Sequence, residues 1–290
     1  MAETTTGSLT DALPEIVSDC RIVKEKKGIG LWRRTSDVRK QSEGTGLSWT
    51  EFALNQLSRQ DITETTDNRN YQQLSGTLLS IEPTMKQIII KITDRTYRKI
   101  AAVVKAKFGS LAGNAMDRGD DDDYLSLFAS FATTNSPGTG NPMASGYISS
   151  AKTNISSNVT EPSLGEVFSV LHGRQIKDIQ DEVVAGVGTY TVPEGITAET
   201  FRNGFNGSVG GSNLFEDGEI TVDAVPDANG ATHSREGVIA AIGLDIKKET
   251  DRDIYFGGGA DVISLVSESA FQERLSGSTQ VWAYLHKSDA

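Results

Sequence analysis

Three clusters in this 290-residue chain have the residue types that do chemistry. The run GDDDD at 119–123 gathers four carboxylates, the ligand type a hard cation such as calcium takes. A calcium loop of the EF-hand kind needs acids at alternate positions, a central glycine and a closing glutamate, whereas these acids are adjacent. The run reads more simply as a charged helix N-terminus. FGGG at 256–259 could approach a phosphate, but it precedes a strand pattern and reads as a turn. His172, His233 and His286 are far apart and form no H-E-x-x-H pair, so a zinc site has no support. Cys20, the single cysteine, lies beside Arg21 and Lys24, which favours the thiolate, yet an incidental thiol is the better reading. There is no phosphate-cradling P-loop and no G-x-S-x-G elbow. The expectation is therefore no catalytic residue, no cofactor and no metal; a hydrolase built on an unrecognised carboxylate pair is the enzymatic alternative.

Charge points elsewhere. The net charge is -11, but residues 1–110 carry 17 Lys+Arg against 13 Asp+Glu, while residues 111–290 carry 11 against 26. A basic first third and an acidic remainder let copies of the chain attract one another. The stretch 21–40 concentrates the basic side chains around Trp32, and contact with protein is favoured there over nucleic acid, because the acidic bulk repels phosphate. No run approaches the roughly 20 apolar residues of a membrane span. The N-terminal stretch is not expected to be a secretory signal, since it has neither basic flank nor apolar core.

The elements that must position these groups can be outlined. Residues 1–20 read as a polar arm. Residues 29–40 and 47–60 read as two arms of a hairpin with its tip at Glu43–Gly46, too thin in apolar residues to fold alone. Deleting 30–58 should then leave a folded subunit. Residues 74–82 and 86–92 read as strands around Pro83–Thr84. Thr93 or Asp94 caps a helix over 94–116, whose apolar stripe is Tyr97, Ile100, Val104, Phe108, Leu111 and Ala115. Gly119 should end that helix and the aspartates open another. Residues 134–165 read as a long loop, 163–184 as helical, 186–240 as short strands between glycines, and the remainder as strands.

This order of elements resembles the major capsid proteins of tailed bacteriophages, the fold first seen in phage Hong Kong ninety-seven and shared by encapsulins. Phrases within 60–260 are also similar to that group: TDNRNYQQLSGTLLSIEPTMKQIIIKITDRTYRKIA, GSLAGNAM, LFASFATTNSPGTGNP, LHGRQIKDIQDEV and GATHSREGVIAAIGLDIKKETDRD. The resemblance implies an α+β fold with an N-arm (1–27), an extended E-loop (28–70), a peripheral domain (71–160) with spine helix 94–116, an axial domain (161–240), and strands of 241–290 returning to the peripheral domain. It implies a shell of hexamers and pentamers enclosing double-stranded DNA without sequence-specific binding. Scaffolding, portal and cement proteins are the implied partners, with assembly in the host bacterial cytoplasm and residence in the virion. Alternatives are a tail-tube or decoration protein, or an encapsulin-like cargo shell. Candidate subunit-interface residues are Arg21, Lys24, Lys26, Lys27, Trp32, Arg33, Arg34, Arg39, Lys40, Trp49, Phe52, Arg95, Arg98 and Lys99.

Overall fold

The computed structural model describes residues 21–22, 30–42, 44, 46–65, 69, 71–100, 104, 107–187, 207–223, 226–255, 258–275 and 281–289, with 183–187 described by backbone alone. Nearly all of the expected N-arm, with Cys20, Lys24, Lys26 and Lys27, lies outside the described residues.

The chain enters through a short helix, α1 (Trp32–Thr35), not a strand. The hydroxyls of Thr35 and Ser36 take the carbonyls of Leu31 and Trp32, four residues back, and so close the turn. That turn rolls Leu31 and Trp32 inward, leaving them 3% and 5% exposed. Strand β1 (Asp37–Lys40) then pairs in parallel with β9 (Val238–Asp253), Asp37 opposite Ile239. It does not pair with 47–60, which corrects the expected hairpin. The deletion of 30–58 would remove part of the core and should unfold the chain.

The actual hairpin is β2 (Trp49–Leu54) against β3 (Gly76–Ile81), with Trp49 opposite Ile81 and Leu54 opposite Gly76. Its connection is the segment 55–75. β4 (Thr84–Thr93) follows, and pairs with β10 (Ala260–Glu273) instead of folding back on β3. β1, β9, β10 and β4 thus form one four-stranded sheet, in that order. Ile88, Ile90 and Ile92 share one face of β4, and Ile88 and Ile90, with Ile263 of β10, meet Leu265, Ala112 and Met116.

Thr93 caps helix α2 (Asp94–Lys99), its hydroxyl accepting the Thr96 N–H. Ile100 then takes an extended backbone, so 94–116 is not one rod. Ile100 is itself branched at Cβ, a type that weakens a helix, and its N–H closes the last turn onto the Thr96 carbonyl. The long helix is α3 (Phe108–Ser126). It runs straight through Gly119 and the aspartates, correcting the expected stop. Its buried row is Ala112, Met116, Asp120, Tyr124 and, just beyond, Phe128, one step around from the expected stripe; Tyr97 and Leu111 are 45% exposed. The aspartates tolerate mid-helix positions because tertiary partners meet them. Lys86 reaches Asp120 at 3.1 Å and also pairs with Asp123, and Ser269 donates to Asp120 at 2.8 Å.

The remainder forms a second layer system. Helix α4 (Ser145–Ser156) lies within the expected loop, and β5 (Val167–Leu171) precedes α5 (Gly173–Val187) where one helix was expected. β5 is buried at every residue, as befits a strand covered on both faces. It is central to a five-stranded sheet ordered β11-β8-β5-β7-β6, with β6 (Ser208–Val209), β7 (Ser212–Glu216), β8 (Asp227–Ser234) and β11 (Ala283–Asp289). β11 therefore joins this sheet, while β9 and β10 belong to the four-stranded one. Ile148, Leu171, Ile176 and Ile179 pack one face. Tyr124, Phe128, Val170 and Ala240 fill the seam between the two sheets.

Candidate assembly surfaces

Alternation sorts the hairpin into two faces. Trp49, Leu79 and Ile81 turn toward the body and pack on Ile239, Ala241 and Ala270. Phe52, Leu54 and Leu78 turn away and are 59%, 66% and 63% exposed. Phe52 lies opposite Leu78 and its ring covers Gly76, where a Cβ would come within 2.6 Å of the ring and 2.4 Å of the Ala53 carbonyl oxygen. Leu57, Ile62, Tyr71 and Leu74 extend this exposed apolar surface along the connecting segment. A large apolar surface on so slender an element marks a contact site.

The four-stranded sheet offers a second such surface. On β4, the face opposite α3 carries Met85 and Ile89, 70% and 58% exposed. Hydrophobic surface is thus bare on the hairpin and on the sheet of the same chain.

Four of the eight basic candidates among the described residues are engaged within the chain. Arg33 reaches Asp117 at 3.4 Å, Arg39 reaches Asp37 at 2.9 Å, and Lys40 reaches Asp245 at 2.5 Å. Arg98 donates to the carbonyl of Asp94 at 3.3 Å. Arg21, Arg34, Arg95 and Lys99 are exposed. Trp32 is a core residue, edge-on to Phe271 at 5.5 Å with the Arg33 guanidinium over its ring at 4.9 Å. Its pattern of flanking apolar residues was that of a strand, and only the helical turn reverses which side it faces. Phe52 is exposed, and Trp49 is half-buried against the body.

Two buried histidines organise a polar layer at the seam. A carbonyl oxygen can only accept, so His233 donates from Nδ1 to the Ser234 carbonyl at 3.0 Å, leaving Nε2 to accept from Tyr124 at 2.7 Å. Thr35 meets the same tyrosine hydroxyl at 2.7 Å, tying the entry turn to α3. His286 likewise donates to the Asn135 carbonyl and accepts from Thr232 at 2.7 Å, with Ser169 and Ser212 continuing the chain. Burial holds both imidazoles down at about 4, opposed only by those carbonyls, so both are neutral. Burial likewise pushes the Tyr124 phenol up.

Among the described residues, no three His, Cys, Asp or Glu side chains are gathered as a metal site would gather them. Asp121 accepts the Gly30 N–H at 2.7 Å, and burial, with the charges of Asp217 and Asp117, pushes it up to about 6. Burial, then Asp122, Asp217 and Asp121, pushes Glu219 up to about 7. At 258–259 the positive φ angles of Gly258 and Gly259, +83° and +111°, make the turn into β10, and the Gly259 carbonyl accepts the Asp94 N–H. These are structural roles.

No family model matches the chain, and no curated protein matches it. Solved structures do. The acidic stable capsid of Helicobacter pylori bacteriophage KHP30 superposes with a TM-score of 0.72 at 11% identity, covering 100% of this chain and 99% of that one. Mycobacterium phage Che8 gives 0.70 at 14%, covering 94% and 96%. The capsid of Ralstonia phage GP4 gives 0.68 at 12%, covering 97% and 96%. The chain therefore has the α+β fold of phage capsid proteins, the Hong Kong ninety-seven type, over essentially its whole length.

Proposed function

We propose that the chain is the structural subunit of an icosahedral phage head, assembling in hexamers and pentamers around double-stranded DNA. One observation carries this beyond the fold: two bare apolar surfaces, on the hairpin's outer face and on the outer face of β4, lie on the same chain. An isolated two-stranded hairpin is barely stable, and covering its outer face in trans supplies the missing core. Laying the hairpin of one copy over the β4 face of the next is a heterologous contact, which repeats around a ring and closes. In this reading the E-loop is β2, β3 and 55–75, not 28–70. The peripheral domain is the four-stranded sheet with α3, and the axial domain is the five-stranded sheet with α4 and α5. Scaffolding, portal and cement proteins are the expected partners, with assembly in the bacterial cytoplasm and residence in the virion. The role is structural, not enzymatic.

Negative-stain electron microscopy of the purified chain tests this. Closed shells or rings of five and six are expected, and the double variant Phe52→Ser, Leu78→Ser should stay folded without forming them. A uniform population of small compact particles from the unaltered chain, at low and moderate salt, would overturn the reading.

A further inference from the structure

The hairpin leaves the body over a single cation. Arg274, the residue after β10, has a side chain only 11% exposed. Its Nη2 reaches Asp37 of β1 at 2.8 Å and Glu51 of β2 at 3.1 Å, and its Nε also donates to Glu51 at 3.1 Å. Its Nη1 donates to the Glu236 carbonyl at 2.6 Å, in the turn that leads into β9. Its own N–H donates to the Gly237 carbonyl at 2.9 Å, which fixes the backbone beneath the side chain. One guanidinium thus joins the first strand, the hairpin and the start of the longest strand. Burial pushes Asp37 up, but Arg274 and then Arg39 overrule it and hold the carboxyl below its usual range, so it stays ionised. A cleft of about 310 Å³ opens beside this contact, lined by Ala53, Thr77, Glu161 and Trp282 among others. Across it the hairpin has a second tether: Gln56 donates to the Thr160 carbonyl at 2.6 Å.

We infer that Arg274 is a positioning residue for assembly: a clamp that sets the direction in which the hairpin projects. This rests on the shell reading above. The packed contact beneath the hairpin is small, confined to Trp49, Leu79 and Ile81. Apolar packing of that extent resists separation but is not directional. A planar guanidinium with a fixed fork of donors is directional, and its charge-assisted bonds are stronger than neutral ones; Arg274 itself is largely shielded while Glu51 keeps about a third of its side chain in solvent. Glu51 is the limb on the hairpin; Asp37 and Glu236 are the limbs on the body. Loss of the Glu51 limb frees the hairpin while the other two still hold the arginine in place. In a shell the contact must recur at one angle around every ring, so a freed hairpin costs assembly without costing the fold.

Amide hydrogen exchange on the full chain, with electron microscopy of the same samples, tests this using Glu51→Gln and Arg274→Met. Glu51→Gln keeps the size of the side chain and spares the body's limbs, so it stays informative if Arg274→Met fails to fold. Both should raise exchange in 49–54 and 76–81 about tenfold, the scale of one charged hydrogen bond, with β5 and β8 as protected as before. Both should also lower the yield of regular particles. Unchanged hairpin exchange in Glu51→Gln overturns the clamp. Faster exchange with a normal yield of regular shells overturns its role in assembly. If the unaltered chain forms no shells, the shell reading fails, and exchange alone then decides whether the clamp exists.

Discussion

Replacing Glu273 by glutamine should stabilise the chain at pH 8 and do nothing at pH 4. The residue ends β10 and is 6% exposed. Its Oε2 accepts the Ala132 N–H at 3.3 Å, while its Oε1 has no hydrogen-bond partner. Burial pushes the carboxyl from 4.5 up to about 7, opposed only by the Ala132 bond. Below pH 4.5 the group is neutral in folded and unfolded chains alike, and its contribution to stability is complete. As pH rises through about 7 the folded chain must ionise a buried carboxyl or hold its proton, and that contribution disappears. The interval from 4.5 to about 7 corresponds to on the order of 3 kcal/mol. Glu273→Gln removes the titration and keeps an oxygen for Ala132. For a chain of this size 1 kcal/mol moves a melting temperature by roughly 2 °C, so the variant should melt about 6 °C higher at pH 8 and within about 1 °C at pH 4. Thermal melting by circular dichroism at the two pH values reads this directly. A shift of equal size at both, or a less stable variant at pH 8, would refute the reasoning, because either shows that burial of the charge is not what the position costs.

Three further outcomes follow from the geometry. The imidazoles of His233 and His286, held near 4, contribute stability that is complete above pH 6.5 and lost as pH falls toward 4; Asp121 and Glu219, pushed up to about 6 and about 7, act in the opposite sense over the same interval, so in the Asp121→Asn, Glu219→Gln, Glu273→Gln background melting temperature should fall from pH 7 to pH 4, and a flat profile there would contradict the neutral, hydrogen-bonded assignment. Trp32→Ala should cost about 3–5 kcal/mol, the scale for emptying a large core position, and a chemical denaturation midpoint unchanged from the parent would return Trp32 to the surface. Gly76→Ala places a methyl against Phe52 and the Ala53 carbonyl; limited proteolysis should then cut within 55–75 faster while the global melting temperature holds, and unaltered cleavage would mean that this end of the hairpin does not need the glycine.

What could be read in the sequence was what local pattern determines. The Thr93 cap, the strand before it, and the strands β9 and β10 follow from side chains within a few residues of one another. The hairpin was legible as an element unable to fold alone, but its partner was not. Residues 47–60 alternate equally well against 29–40 or against 74–82, and the choice depends on β9 taking β1 away from 200 residues downstream. The end of the long helix failed for a similar reason. Gly119 followed by aspartates is a stop signal locally, and it takes Lys86 and Ser269, both on strands, to make Asp120 acceptable inside the helix. The clamp was invisible because Arg274 lies 223 residues from Glu51 and in no motif.

That separation also sets a timetable. Glu51 of the hairpin leaves the ribosome well before Arg274, which lies 223 residues further along the chain. At about 5–20 residues per second, the order of 10–40 seconds pass between making the sticky arm and making what aims it. If the hairpin is the assembly arm proposed above, a nascent chain carries that surface without a fixed direction throughout the interval, and neighbours on the same messenger cannot close a correct ring. On the proposed shell reading, a subunit becomes competent to join others only once Arg274 has been made.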